Sequence, residues 1–228
     1  MCVNYRPTSK SELIGDLNAA FAGDETWPAE TWQDYAAPFI VAGENGSRIA
    51  RLGTYGMVPF SKLPPGVRFT TMNARSEEVS TKKNYKPAWM KAQLCLVPMV
   101  AFYEPNWESG KHIRYRIEMA DKAPFAVAGL WREWDEADGQ KSFSFTQLTV
   151  NADEHPVMKH FHKPEDEKRS LVILQPDEYD DWLNCKDPER ARSFMHLLPP
   201  DLLATRPEPK PTASKKVLAP APPQESLF

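Results

Sequence analysis

Apolar and alternating stretches along the chain predict a protein built mainly from β-strands. The near-continuous apolar runs AAPFIVAG and QLCLVPMVAFYEP are typical of buried strands. HIRYRIEM alternates apolar and polar residues, and PFAVAGLWREW and SFSFTQLTV extend the pattern. The polar stretch 106–111, NWESGK, lies between two of these runs and is typical of a hairpin loop. Together the runs predict a substantial, mainly antiparallel sheet.

Helical signals are weaker than the strand signals. TSKSELIGDLNAAFAG predicts a helix, because Ser9 and Glu12 form a capping box, apolar residues share one face and Gly23 is a stop signal. EHPVMKHF predicts a short helix, RSLVILQ one more strand, and PDEYDDWLN and DPERARSFMHLL two capped helices. The fold class that follows is α+β: a single domain, residues 1–204, around a mainly antiparallel, barrel-like sheet with flanking helices.

The last part of the chain has no periodicity. Residues 205–228 are rich in Pro, Ala and Lys, which predicts a disordered tail. The tail ends in QESLF, which resembles the short peptide with which bacterial repair proteins and polymerases bind the sliding clamp. Its contact residues would be Gln224, Leu227 and Phe228. A chance ending on a disordered tail explains the same letters equally well.

Composition excludes several classes of protein. With 228 residues, 41% of them hydrophobic, the chain can bury one core, and no run approaches the roughly 18 apolar residues of a membrane span. Without a signal peptide, a cytoplasmic monomer is expected. Cys2, Cys95 and Cys185 are odd in number and widely spaced, which argues against disulfides and a structural zinc site.

The charged residues are unevenly distributed. The formal net charge of −3 disfavours nucleic acid, yet the stretch 51–91 carries eight basic residues against only Glu77 and Glu78. Such a stretch fits a nucleic-acid surface, and it fits an ordinary solvated face as well. The charge pattern therefore permits a nucleic-acid partner without requiring one.

Cys2 directly follows the initiator methionine, and this position has chemical consequences. If Met1 is removed, Cys2 presents an α-amine and a thiol on adjacent carbons. The pKa of an α-amine is near 8, so roughly a tenth is uncharged and nucleophilic at pH 7. Such an amine condenses with an aldehyde to an imine, and the thiol then closes a five-membered thiazolidine. The alternative is an incidental, buried cysteine.

Three further stretches carry polar residues next to apolar strands. They are TMNARSE, VPMVAFYEP and HFHKPEDEKRSLVIL, with Asn73, Glu104 and His162 as their notable residues. Taken singly, these are a turn residue, a surface acid and a loop histidine. Together and in this order, with the initial Met-Cys, GMVP and PFAVAGLW, they resemble the SRAP family (SOS response-associated peptidase), whose members crosslink to abasic sites in DNA.

The resemblance implies a DNA-repair enzyme whose catalytic residues are Cys2, Asn73, Glu104 and His162. Cys2 would capture the ring-opened aldehyde of an abasic site in single-stranded DNA and protect the lesion during the DNA damage response. Asn73 would orient the Cys2 amine, Glu104 would act as acid and base, and His162 would protonate the sugar oxygen. His160 is the alternative histidine. Peptidase-like removal of Met1, a lyase-type reversal, no cofactor and a location at the bacterial nucleoid are implied as well.

The DNA-binding residues depart in part from the family pattern. Arg75 of the NAR motif would hold a phosphate. Many members begin Met-Cys-Gly-Arg, and that arginine contacts phosphate; position 4 here is Asn4, so Arg6 substitutes for it or the contact is missing. Many members also have Glu-Trp where this chain has Glu104-Pro105, so Trp107 would supply the stacking residue. An Arg-Met-Pro run after the histidine is replaced by Lys-Pro-Glu.

Three other interpretations remain open at this stage. The chain could be a cysteine peptidase that acts on other proteins, as the family name suggests. It could instead be a non-catalytic nucleic-acid-binding module that uses the basic stretch 51–91. A zinc site would combine His160 and His162 with His155 or Cys185, but the sequence has no CxxC or HExxH motif to support it.

Overall fold

Twelve strands and four short α-helices form the part of the chain that the computed structural model describes, residues 2–210. The helices are α1 (Lys10–Gly15), α2 (Lys86–Met90), α3 (Tyr179–Asn184) and α4 (Pro188–Ala191). The strands are β1 (Asn4–Pro7), β2 (Ala19–Ala20), β3 (Ala36–Ala42), β4 (Arg48–Tyr55), β5 (Asn73–Arg75), β6 (Leu94–Asn106), β7 (Ile113–Met119), β8 (Phe125–Asp135), β9 (Lys141–Asn151), β10 (Arg169–Leu171), β11 (Ile173–Leu174) and β12 (Leu203–Pro207).

Five of these strands close into a barrel. The pairing runs from β8 through β9, β4, β3 and β6 and returns to β8. All of these pairs are antiparallel except β4 with β9, so the barrel is mixed. β6 is long enough to pair with β8 at its start and with β1 and β7 at its end. The predicted α+β fold around a barrel-like sheet is therefore confirmed.

Two apolar cores lie on opposite faces of the sheet. Phe39 and Phe145 stack with their ring centroids 5.6 Å apart inside the barrel, and the burial of each contributes roughly 1.5–3 kcal/mol. Gly53 in β4 packs against the Phe39 ring, where a Cβ would come within 2.8 Å of Phe39. The second core contains Leu96 and Trp182 and is covered by α2 and α3. The barrel interior also contains Cys2, so the core and the site share one end of the barrel.

The first predicted helix is shorter than its sequence pattern suggested. The capping box of Ser9 and Glu12 is present, but α1 ends at Gly15 instead of residue 23. Leu13 is buried whereas Ile14 is 57% exposed, so the apolar face is too narrow to support a longer helix. Asn18 then adopts a left-handed conformation, and the chain continues into β2.

Several elements near the C-terminus also differ from the prediction. EHPVMKHF forms only one 3₁₀ turn, and RSLVIL divides into β10, which pairs with β9, and β11, which pairs with β8. The predicted helices after residue 175 are confirmed as short α and 3₁₀ segments. β12 pairs with β7 as far as Pro207, so the sheet continues past the predicted boundary at residue 204.

The residues predicted to bind the clamp, Gln224, Leu227 and Phe228, lie outside the described residues, as does the rest of the predicted tail beyond residue 210. No helix within residues 2–210 is long and apolar enough to cross a membrane.

Candidate active site

The backbone of Cys2 is held at one end of the barrel by two side-chain donors, one half-buried and one buried. Asn73 Nδ2 donates to the Cys2 carbonyl oxygen at 2.6 Å, and the Tyr55 hydroxyl lies 3.2 Å from the same oxygen. The Cys2 side chain is 1% exposed, and its thiol donates to the carbonyl of Asn4. Burial and the nearby Glu104 raise the pKa of the thiol well above its ordinary value, so the thiol is neutral.

Asn73 reaches Cys2 because a short strand brings the NAR motif into the sheet. β5 lies parallel to β9, with Asn73 opposite Gln147. The Tyr85 hydroxyl donates to the Asn73 carbonyl at 3.0 Å, which anchors the strand from its other side. Asn73 therefore contacts the backbone carbonyl of Cys2, and its predicted role in orienting the Cys2 amine stays a prediction.

Glu104 and His162 form a buried acid–imidazole pair. Glu104 Oε2 lies 3.3 Å from His162 Nδ1, and their side chains are 3% and 6% exposed. Desolvation raises the pKa of Glu104 from 4.5 to about 7. Desolvation also lowers the pKa of His162 from 6.5 to about 4. Both shifts favour the uncharged forms, so near neutral pH the imidazole is neutral and the carboxyl is protonated in roughly half of the molecules.

The hydrogen bonding of His162 defines where its ring hydrogen lies. His162 Nε2 is 3.3 Å from the carbonyl oxygen of Arg169, which can only accept, so Nε2 carries the hydrogen. Nδ1 is then the unprotonated ring nitrogen, and it lies 3.3 Å from Glu104 Oε2. The backbone of His162 has a φ of 65°, a left-handed conformation uncommon outside glycine, and its N–H donates to the Pro105 carbonyl. Strain of this kind is typical of functional positions.

His160, the alternative histidine, has a different partner and is more exposed than this pair. Its side chain is 44% exposed and its Nδ1 lies 2.6 Å from Glu108. His155 is buried and bonded to the carbonyl of Leu198, so the histidines of the zinc interpretation have separate partners. Within residues 2–210, no three His, Cys, Asp or Glu side chains are arranged to hold a metal.

The three predicted DNA-binding residues differ in their exposure and in their partners. Arg75, on β5, is 38% exposed and forms an ion pair with Glu167 at 2.8 Å. Arg6 is exposed on β1 and has no ion-pair partner among the described residues. Trp107 stacks on His112 in the loop after β6, with ring centroids 5.6 Å apart. The phosphate-binding residue of the prediction is thus already paired within the chain.

Sequence reasoning missed the role of Arg114. Its Nη2 donates to Asn4 Oδ1 at 2.7 Å, and its guanidinium lies 3.3 Å from the centre of the Tyr103 ring. It also pairs with Glu30 at 2.9 Å. The residue lines a groove of about 720 Å³ that continues to Glu104. Position 4, where many family members have an arginine, is therefore contacted here by Arg114 of β7, 110 residues away in sequence.

Arg169 was missed as well. It is 2% exposed and its Nη1 and Nη2 contact the carboxylate of Glu77, the acid of the NARSE motif, at 2.5 and 3.0 Å. This pairing lowers the pKa of Glu77 to about 2. Because the Arg169 carbonyl also accepts from His162, the pair ties β10 and the NARSE segment to the site. This role has no signal in the local sequence, because six residues lie between His162 and Arg169.

Comparison with known proteins decides the family. A profile of the family described as SOS response associated peptidase (SRAP) matches residues 1–209 of the 228-residue chain. This chain is a member of the SRAP family. The SRAP protein is 29% identical over 165 residues to Abasic site processing protein YoaM of Bacillus subtilis, a match covering 71% of this chain and 68% of YoaM.

Other similar proteins agree with this membership. Abasic site processing protein HMCES of Gallus gallus is 24% identical over 187 residues, which cover 72% of the SRAP protein and 54% of HMCES. A crystal structure of a Bordetella bronchiseptica protein superposes with a TM-score of 0.80 at 34% identity, covering 91% of this chain and 99% of that chain. The fold is therefore shared with a solved structure along nearly its whole length.

Proposed function

We propose that this SRAP protein processes abasic sites in single-stranded DNA by forming a thiazolidine between Cys2 and the ring-opened sugar. The relatives YoaM and HMCES are both named abasic site processing proteins. The observation that carries the proposal is that Asn73 donates to the Cys2 carbonyl, while Glu104, which is paired with His162, lies close enough to raise the pKa of the Cys2 thiol. Such an arrangement can activate an N-terminal aminothiol toward an aldehyde.

The chemistry balances without a cofactor. Removal of Met1 frees the Cys2 amine, which adds to the C1′ aldehyde to give a carbinolamine. Loss of water yields the imine, and the thiol sulfur then adds to the imine carbon while its proton passes to the nitrogen. The product is a five-membered thiazolidine, and the only molecule released after Met1 removal is one water.

Glu104 is the group suited to move the protons. With a pKa of about 7 it holds a proton in roughly half of the molecules at neutral pH, so it can donate to the departing hydroxyl and accept from the thiol. The pKa of His162 is lowered to about 4, so at neutral pH its ring is uncharged and carries no extra proton to donate. In this proposal Glu104 therefore donates the proton as the sugar ring opens, and His162 holds and orients the carboxyl group through Nδ1.

The two competing functions make different predictions for the same assay. A peptidase acting on other proteins forms its covalent intermediate with a peptide carbonyl and not with DNA. A non-catalytic nucleic-acid-binding module binds DNA without a covalent product. Both alternatives predict that abasic DNA dissociates fully from the protein on denaturation.

The test is a denaturing gel of the full chain after incubation with single-stranded DNA that contains one abasic site. A band resistant to denaturation is expected, and Cys2→Ala should abolish it. Cys185→Ala is the matched control, because Cys185 is also buried but bonds to the Asp187 carbonyl far along the chain. A crosslink of undiminished yield in Cys2→Ala would refute the proposal.

Binding of the tail to the sliding clamp remains a separate prediction. Gln224, Leu227 and Phe228 would dock as an extended peptide, which would bring a monomeric, cytoplasmic protein to DNA at the nucleoid. Deleting residues 224–228 should remove clamp binding and leave crosslinking in dilute solution unchanged.

A further inference from the structure

The Tyr55 hydroxyl is a buried donor next to the nucleophilic residue for which the mechanism so far has no role. Tyr55 is the last residue of β4 and is 0% exposed. Its oxygen lies 3.2 Å from the Cys2 carbonyl oxygen and 3.0 Å from Gln147 Oε1. A hydroxyl has one hydrogen, so it can serve only one of these two acceptors at a time.

The packing holds the phenol in place. Its ring stacks on Phe145 at 5.7 Å and contacts Tyr5 edge-on at 5.1 Å. Burial raises the pKa of Tyr55 well above 10, so the hydroxyl stays protonated and remains a donor throughout the range in which the protein works. The oxygen can therefore alternate between its acceptors by rotation of the O–H bond alone.

Gln147 is a buried residue whose side-chain amide is only partly hydrogen-bonded. The residue is 0% exposed, lies opposite Asn73 in the sheet, and its Nε2 has no hydrogen-bond partner within the described part of the chain. An unpaired buried amide group is costly, and an apolar side chain would avoid the cost. The arrangement thus retains an unfavourable group beside the Tyr55 hydroxyl and the start of the chain.

We infer that Tyr55 is a positioning residue that, together with Asn73, fixes the Cys2 carbonyl and hence the direction of the Cys2 amine, with Gln147 as the competing acceptor. The inference rests on the proposed function, since it presumes that the Cys2 amine is the nucleophile. Two donors on the Cys2 carbonyl oxygen restrict rotation about the Cα–C bond of Cys2. They also draw electron density from that carbonyl, which favours the uncharged form of the neighbouring amine.

The test measures single-turnover crosslinking rates of Tyr55→Phe, Gln147→Leu and the double variant on abasic single-stranded DNA across pH. Tyr55→Phe keeps the ring and should slow crosslinking about five-fold, the effect of one lost hydrogen bond. Its rate should also rise with pH later than that of the unchanged protein. Gln147→Leu leaves the hydroxyl to Cys2 alone and should react at least as fast as the unchanged protein. The double variant should be as slow as Tyr55→Phe.

Affinity for undamaged single-stranded DNA serves as the control, because Tyr55 is buried and should not affect it. If Tyr55→Phe reacts at the unchanged rate with an unchanged pH profile, the inference is wrong while the proposed function stands. If Gln147→Leu slows the reaction as much as Tyr55→Phe does, the hydroxyl serves Gln147 and not Cys2. If the unchanged protein forms no crosslink that depends on Cys2, the proposed function itself has failed.

Discussion

Replacing Glu104 by glutamine should stabilise the protein, and the gain should appear only as pH rises. Glu104 is completely buried, and desolvation raises its pKa from 4.5 to about 7. Below pH 4.5 the carboxyl is protonated in both the folded and the unfolded chain, so the substitution has little effect there. As pH rises, the unfolded chain loses this proton first, and the wild-type protein therefore loses stability until the folded carboxyl also ionises.

The size of the effect follows from the two pKa values. At about 1.4 kcal/mol for each unit of pKa, the difference between 4.5 and about 7 corresponds to about 3 kcal/mol above pH 7. Glu104→Gln carries no ionisable group at this position and avoids that loss. The substituted protein should therefore be more stable than wild type at alkaline pH while crosslinking much more slowly.

Urea unfolding, followed by tryptophan fluorescence between about pH 4 and pH 9, measures this difference. Glu108→Gln is the matched control, because Glu108 lies in the following loop and hydrogen bonds from Asn106 and His160 lower its pKa. Its substitution should therefore bring no gain in stability as pH rises. If Glu104→Gln differs from wild type by a constant amount across the whole range, the carboxyl does not carry a raised pKa, and its assigned role in proton transfer loses its basis.

Three further outcomes are expected. The crosslinking rate should have a maximum between about pH 7 and pH 8, because the fraction of uncharged Cys2 amine increases with pH while the fraction of protonated Glu104 decreases. A rate that rises steadily to about pH 9 would exclude Glu104 as the acid. Glu167→Gln should release Arg75 from its ion pair and tighten binding of undamaged single-stranded DNA at low salt, with a steeper salt dependence. Equal affinity of the variant and the unchanged protein in a fluorescence anisotropy titration would show that Arg75 contacts no phosphate. Trp107→Ala should weaken the same binding by about 1–3 kcal/mol if the ring stacks on a base, whereas no change would remove it from the DNA-binding surface.

The sheet was largely predictable because long apolar strands have a strong local pattern. The runs that became β3, β6, β8 and β9 are seven residues or longer, and each is buried along much of its length. β5 has only three residues and exists because β9 offers it an edge. A pairing between residues about 74 positions apart leaves no mark in the local sequence, so this strand could not be anticipated.

The candidate site was predicted only through the ordered motifs of the family, and the roles of its residues stay predictions. Asn73, Glu104 and His162 each fit an ordinary structural role when taken alone, and their order along the chain was the informative signal. Tyr55 and Arg114 carried no such signal. Tyr55 ends a strand like any aromatic residue, and Arg114 contacts Asn4 only because β7 and β1 both pair with β6. The pKa values likewise depend on burial in the assembled barrel.

The mass of the intact covalent product tests the central claim most directly. After incubation of the full chain with abasic single-stranded DNA, the product should weigh as much as the chain without Met1 plus the DNA, less one water. Peptide mapping should then locate the DNA on the N-terminal peptide at Cys2. A product that retains Met1, or one in which the DNA is attached to a lysine, would contradict an N-terminal aminothiol as the reacting group.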